Sequence, residues 1–208
     1  MDNMNLAPRF CANSTMGPLK LTDYMGKWLV ILSYDNDFTP VCTTEVIALS
    51  KLYNNFMDNN CDILMFSKDT LPTHIAWVND ISKNTNISVP FAIVSDETGE
   101  ISNLYNNFDG NSVYIIDPNQ VIRSNVTYPK NIGRNMSEIL RTVCAMQETD
   151  VNNSLTPANW VPGNDVIIDS PNSYIELMDR IRSSSRGEYS WFANDSRGFN
   201  LWEIAIHV

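Results

Sequence analysis

The run Trp28-Leu29-Val30-Ile31-Leu32-Ser33 is apolar at every position but its last, with Gly26 before it and Asp35-Asn36-Asp37 after it. A short apolar run without alternation predicts a strand buried on both faces. From Thr43 onward Val46, Leu49, Tyr53 and Phe56 recur at three- and four-residue steps, and Glu45 stands in the first turn. That spacing predicts a helix opening just after Cys42. The alternation repeats, with a strand at Asp62 to Phe66, a helix through Ile75 to Ile81, and a strand at Phe91 to Val94 behind Pro90. Such a rhythm predicts an α/β fold with a mainly parallel sheet flanked by helices. Ser112 to Asp117 and Val121 to Val126 flank Pro118-Asn119-Gln120, which adds an antiparallel hairpin at one edge. Met136, Ile139, Leu140, Val143 and Met146 mark a further amphipathic helix, with Arg134 just before it.

After Gln147 the pattern changes. Pro157, Pro162, Gly163 and Pro171 punctuate short apolar pieces, and only Tyr174 to Ile181 has helical spacing. This places a boundary near residue 148, with a core at 1–148 and an extension at 149–208. The extension holds Trp160, Trp191 and Trp202 with little regular periodicity, so it is expected to pack on its own core or on a second subunit.

Composition narrows the classes. The chain has 208 residues, 43% of them hydrophobic, enough for one sizeable core. A net charge of −10 argues against nucleic acid and anionic lipid as partners. No apolar stretch approaches the roughly 20 residues of a membrane span, and Met1-Asp2-Asn3-Met4-Asn5 is unlike a signal peptide, so the expected location is cytoplasmic. Paired asparagines such as Asn54-Asn55 and Asn152-Asn153 reflect compositional bias, since apolar periodicity continues around them. Four cysteines without a CxxC pair offer neither a zinc site nor a dithiol centre, and no cofactor or metal is expected. His74 and His207 have no partner spacing and read as solvated surface residues.

The chemistry concentrates in Asp37-Phe38-Thr39-Pro40-Val41-Cys42-Thr43-Thr44-Glu45. It follows a buried strand and precedes a helix, so Cys42 falls at a helix amino terminus, where unpaired N–H groups and the dipole favour a thiolate. The Thr39 hydroxyl stands close enough in sequence to bond the sulfur or a bound oxygen. Taken alone, this setting equally suits a packed helix-start cysteine with no chemistry.

The same segment resembles the active-site motif of the peroxiredoxins, above all the one-cysteine class with an extended carboxyl-terminal domain. The resemblance continues through Ala7-Pro8-Arg9-Phe10, Ser67-Lys68-Asp69-Thr70, His74-Ile75-Ala76-Trp77, Tyr128-Pro129, Gly133-Arg134-Asn135 and Thr156-Pro157-Ala158-Asn159-Trp160. It implies a thioredoxin-like core and a thiol peroxidase acting on hydrogen peroxide and small organic hydroperoxides. Cys42 matches the peroxidatic cysteine, which becomes a sulfenic acid. Thr39 matches the hydroxyl donor, Arg134 the arginine that polarises the peroxide, and Glu45 the glutamate that orients it. Pro40 and Val41 complete the motif as supporting residues. The family also implies subunit pairing, as a homodimer or larger homo-oligomer.

Departures from the pattern matter too. Asp35 stands where the motif has proline, Tyr34 where this class often has histidine, and Asn153 where a second arginine is common. Tyr34 could give the peroxide a polar contact. Asp35, if it faced the sulfur, would repel a thiolate, which leaves a catalytically weak redox-sensing or binding member as the alternative function. Arg123 is the second candidate for the active-site cation. Some relatives carry a lipase serine, but Asp23 to Trp28 has none, so that activity is not carried over. Cys11, Cys61 and Cys144 are expected to be packing residues, Trp77 a helix core residue, and reduction to need an external thiol, because Asp150 to Val208 holds no cysteine.

Overall fold

A computed structural model of the chain describes residues 5–107 and 111–183. The chain divides into two compact units, the division falling between Leu140 and Arg141. The first holds a sheet of seven strands in the order β2-β1-β5-β4-β3-β6-β7. These are β1 (Cys11–Ser14), β2 (Gly17–Lys20), β3 (Trp28–Ser33), β4 (Cys61–Ser67), β5 (Ala92–Ser95), β6 (Ser112–Ile116) and β7 (Ile122–Thr127). The helices are α1 (Pro40–Asp58), α2 (Leu71–Thr85), α3 (Glu100–Leu104), α4 (Met136–Asn152) and α5 (Tyr174–Ser183).

β3 is buried at every position, as its unbroken apolar run predicts. It pairs in parallel with β4, which pairs in parallel with β5, while β6 lies antiparallel on its other side. Successive side chains leave a strand on opposite faces, so register aligns like with like. Ala92, Leu64, Ile31 and Tyr114 form one such row across four strands. With Leu29, Phe66, Val94, Ile116, Phe10 and Tyr105 they build the core of one face. On the other side α1 packs on β4 and α2 on β5.

The parallel part of the sheet is therefore confined to its three central strands, and antiparallel strands extend it both ways, giving a mixed sheet. The β6–β7 hairpin stands at the predicted edge. The β1–β2 hairpin at the other edge escapes the hydrophobic pattern, because four-residue strands with exposed positions show no alternation to detect. Its turn depends on Gly17, whose φ of 100° is costly for any residue with a Cβ.

α1 begins at Pro40, two residues before Cys42, rather than just after it. Proline suits this first position, where its missing N–H has no intrahelical partner and its φ is already helical. Buried Cys42, Glu45, Val46, Leu49 and Phe56 follow helical spacing, so the stripe that anchors the helix also carries Cys42 and Glu45. In α2, Thr70 caps the helix by accepting from the Thr73 N–H (3.4 Å), and His74, Trp77 and Ile81 form its buried stripe.

The second unit contains the rest of α4, an antiparallel bridge between Leu155 and Ile167, and α5. Trp160 is buried, its indole N–H donating to the Asn164 carbonyl (3.1 Å) and its own carbonyl accepting from Arg141 (2.8 Å). Val151, Tyr174 and Ile175 stand about three-quarters exposed, at 80%, 75% and 74%. Trp191, Trp202 and His207 lie outside the described residues.

Candidate active site

The site lies at the carboxyl end of β3, where the chain turns into α1. Phe38 occupies the left-handed region with φ 57°, an uncommon and strained choice for a residue with a bulky side chain. Thr39 then takes the extended conformation of an N-cap, but its hydroxyl donates backward to the Asn36 carbonyl (2.8 Å) instead of capping the helix. The first bond of the α1 ladder runs from the Thr43 N–H to the Thr39 carbonyl (2.9 Å). The N–H groups of Val41 and Cys42 thus precede the ladder and are the ones an anion can use. Cys42 is only 3% exposed, and its sulfur takes no hydrogen bond among the described residues. Thr39 and Arg134 belong to the surrounding frame and do not bond the resting sulfur.

Arg134 enters from the loop before α4. Its side chain is fully buried and that of Glu45 nearly so. The two are joined twice, from Nε to Oε1 (2.9 Å) and from Nη2 to Oε2 (2.5 Å), the fork geometry in which guanidinium and carboxylate match best. The Arg134 backbone N–H also donates to Glu45 Oε1 (2.7 Å), and Nη1 donates to the carbonyls of Ser33 (2.7 Å) and Ser112 (3.2 Å). This leaves one N–H of Nη2 without a protein partner among the described residues. A Cβ at the preceding residue, Gly133, would stand in ordinary van der Waals contact with the Val41 side chain, 3.8 Å away. The loop carrying the arginine therefore lies against the first turn of α1.

A second buried polar cluster grips the other end of the turn. Asp37 accepts from the Tyr34 hydroxyl through Oδ1 (2.7 Å) and from His74 Nδ1 through Oδ2 (2.7 Å), while its own backbone N–H donates to Asp69 Oδ2 (2.8 Å). Burial, followed by the Asp37 charge, pushes the Tyr34 phenol well above its ordinary range, so the hydroxyl stays a donor. Its hydrogen points at Asp37, not toward a free face of the site. The rings of Tyr34 and Phe38 both lie near Trp77, with centroids 5.5 and 6.4 Å away, and Trp77 Nε1 donates to Thr43 Oγ1 (3.2 Å).

His74 corrects the expectation of a solvated histidine: it is fully buried. One-face spacing with Trp77 was the available sign, since a histidine three residues before a core tryptophan shares its side of the helix. Asp35 turns outward, its carboxylate 2.8 Å from Lys130 Nζ. Arg123 lies on edge strand β7 beside Asp117 (3.5 Å) with its guanidinium 5.6 Å from the Trp28 ring centre, and is not part of this cluster. Asn153 follows α4 with a left-handed φ of 48°. Among the remaining cysteines, Cys61 is fully buried, Cys144 is partly buried with its thiol pushed up chiefly by that burial, and Cys11 is exposed, contrary to a packing role. No group of residues suited to a metal ion occurs among the described residues.

A buried cysteine in the first turn of a helix, an arginine buried against Glu45 of that helix and a mixed sheet of this order suit a thiol-based oxidoreductase, and comparison with known proteins makes the class specific. Residues 4–125 match the AhpC/TSA family and residues 145–181 match the C-terminal domain of 1-Cys peroxiredoxin. Peroxiredoxin 2 of Caldanaerobacter subterraneus is 44% identical over 185 residues, covering 85% of this chain and 84% of that protein. Peroxiredoxin 2 of Picrophilus torridus is 40% identical over 192 residues, covering 89% and 94%. Among solved structures, a yeast mitochondrial 1-Cys peroxiredoxin described for thiol resolution via glutathione/thioredoxin systems superposes with a TM-score of 0.81 at 33% identity, over 94% of this chain and all (100%) of that one. A cysteine-to-serine variant of peroxiredoxin 6 from Arenicola marina gives 0.77 at 30% identity, over 86% and 88%. The chain belongs to the AhpC/TSA peroxiredoxin family, and it is a thiol-dependent peroxidase with the thioredoxin-like fold.

Proposed function

We propose that Cys42 is the peroxidatic cysteine and that Arg134, Glu45 and Thr39 form its site, with Pro40 and Val41 shaping the helix start. The observation that carries this reading is the buried Arg134, held on both carboxylate oxygens of Glu45 with an Nη2 hydrogen to spare beside the first turn of α1. The Cys42 thiolate attacks one oxygen of the hydroperoxide. The S–O bond forms as the O–O bond breaks, the sulfur is oxidised to sulfenic acid, and the other oxygen leaves as hydroxide or alkoxide that takes a proton. Charge builds on that leaving oxygen, and the Arg134 N–H together with the N–H groups of Val41 and Cys42 are preorganised donors for it. The Thr39 oxygen, its hydrogen committed to Asn36, can accept from the incoming O–H.

Burial of Cys42 suits a small substrate, hydrogen peroxide or a small organic hydroperoxide. Reduction falls to an external thiol, two equivalents returning the sulfenic acid to thiol with release of a disulfide and water. The chain has no cysteine beyond Cys144, and the yeast relative is described as resolving through glutathione/thioredoxin systems. Four free cysteines suit a reducing compartment such as the cytoplasm. The extension 149–208, with its exposed Val151, Tyr174 and Ile175, supports pairing with a second copy. Reduced protein quenched with hydrogen peroxide is expected to trap one sulfenic acid, at Cys42. If Cys42→Ser consumes peroxide as fast as the parent, the reading is wrong.

A further inference from the structure

Peroxide chemistry at Cys42 engages Arg134, Glu45 and Thr39 and leaves the Tyr34–Asp37–His74 cluster without a role. That cluster is unusual for one meant only to fill space. His74 Nε2 is buried from water and has no hydrogen-bond partner among the described residues. An apolar side chain there would carry no such penalty. The other ring nitrogen is fixed, since Nδ1 lies 2.7 Å from a carboxylate oxygen that can only accept. With the Tyr34 hydroxyl on its second oxygen, the Asp37 carboxylate is held from both sides. Its backbone N–H is held from a third, by Asp69.

The backbone just after Asp37 is the part that needs holding. Phe38 sits at φ 57°, and such a conformation persists only where its surroundings over-determine it. Thr39 comes next, with its hydroxyl turned to Asn36, and three residues later Cys42. A shift of Asp37 would be passed directly to the Thr39 oxygen. Misplacing a group that must meet a reacting molecule by about 1 Å can cost about a hundredfold in rate.

We propose that Tyr34 and His74 are positioning residues for the peroxide step: through Asp37 they hold the Phe38–Thr39 turn so that the Thr39 oxygen meets the hydroperoxide. This rests on Cys42 being the peroxidatic residue. Neither side chain touches the peroxide, and the sulfur's own nucleophilicity is set elsewhere. The two contributions separate when reaction of Cys42 with hydrogen peroxide is compared with its alkylation by iodoacetamide, which needs the sulfur but no placed hydroxyl.

In His74→Leu the peroxide rate is expected to fall by about tenfold or more while alkylation stays within about twofold. His74→Asn places an amide N–H near the Nδ1 position and is expected to recover most of the loss. Should His74→Leu fail to fold, Tyr34→Phe keeps the ring on Trp77 and deletes the hydroxyl that bonds Asp37 and lies 3.3 Å from His74 Nδ1, with an expected loss of about threefold against peroxide alone. Peroxide and alkylation rates that fall in step, or a folded His74→Leu or Tyr34→Phe with the parent's peroxide rate, would overturn the proposal. A parent whose peroxide consumption survives Cys42→Ser overturns the reading of the site and this proposal together, whereas a Cys42-dependent parent with an indifferent network overturns this proposal alone.

Discussion

The turn before Cys42 is gripped at two ends, and the two grips are built differently. At the Glu45 end an ion pair spans 89 residues of sequence, both partners are buried, and the guanidinium keeps one N–H in reserve. At the Asp37 end the polar atoms converge on a single carboxylate, and the atom left over is a histidine nitrogen with nothing to bond among the described residues. In the function proposed above, the first arrangement keeps a positive charge in place for chemistry. The second, in the inference drawn from it, keeps a stretch of backbone in place. A peroxidatic site needs both, because charge aimed at a leaving oxygen lowers the barrier only if the reacting atoms are themselves in line.

The comparison breaks most visibly at the ion pair. Glu45→Gln leaves a buried guanidinium short of its countercharge, and is expected to cost about 3–5 kcal/mol of stability. The peroxide rate should fall by about a hundredfold or more, as for loss of a preorganised donor. Urea unfolding and stopped-flow peroxide consumption check the two numbers. A Glu45→Gln protein as stable as the parent would mean that the charge is not what this grip holds.

The Asp37 end answers to alkaline pH. The Tyr34 phenol lies well above its unfolded value near 10, by burial first and by Asp37 second. Its contribution to stability is therefore whole below about pH 10 and is lost as pH rises beyond it, when the unfolded chain ionises before the folded one. Tyr34→Phe should cost about 1 kcal/mol at neutral pH, and its urea midpoint should decline less steeply than the parent's above about pH 10. Tyr24, raised to about 12, keeps part of the decline in both proteins. Identical slopes would remove Tyr34 from the account.

The smallest effect belongs to Asp35 and Lys130, an exposed pair outside both grips. Asp35→Ala is expected to change stability by less than about 1 kcal/mol, with salt screening most of it. Its peroxide rate should stay within about twofold of the parent. A tenfold change would bring Asp35 into the site and join the two grips through the Arg134 loop.

The Glu45 end was legible in the sequence and the Asp37 end was not. The periodicity put Glu45 in the first turn of a helix next to Cys42, and the family motif paired Glu45 with an arginine whose distance in sequence no local rule could bridge. Asp37 lay inside the same motif, yet its partners come from the end of β3 and from α2, and a histidine on a helix carries no mark of burial unless it is read with the core tryptophan beside it. The central strands were legible because burial on both faces leaves no polar position. The β1–β2 hairpin was not, because it is short, half exposed and stabilised by its place at the sheet edge, not by its own pattern.

Trp77 gives the molecule an optical property. Its indole is nearly sealed from solvent and donates to Thr43, the residue after Cys42. Emission from an indole responds to the polarity and hydrogen bonding of its N–H. Trp28, at the far end of β3, and Trp160, in the other unit, lack this connection. Emission from Trp77 is therefore expected to shift when the first turn of α1 rearranges on oxidation of Cys42, over the background of the chain's other tryptophans.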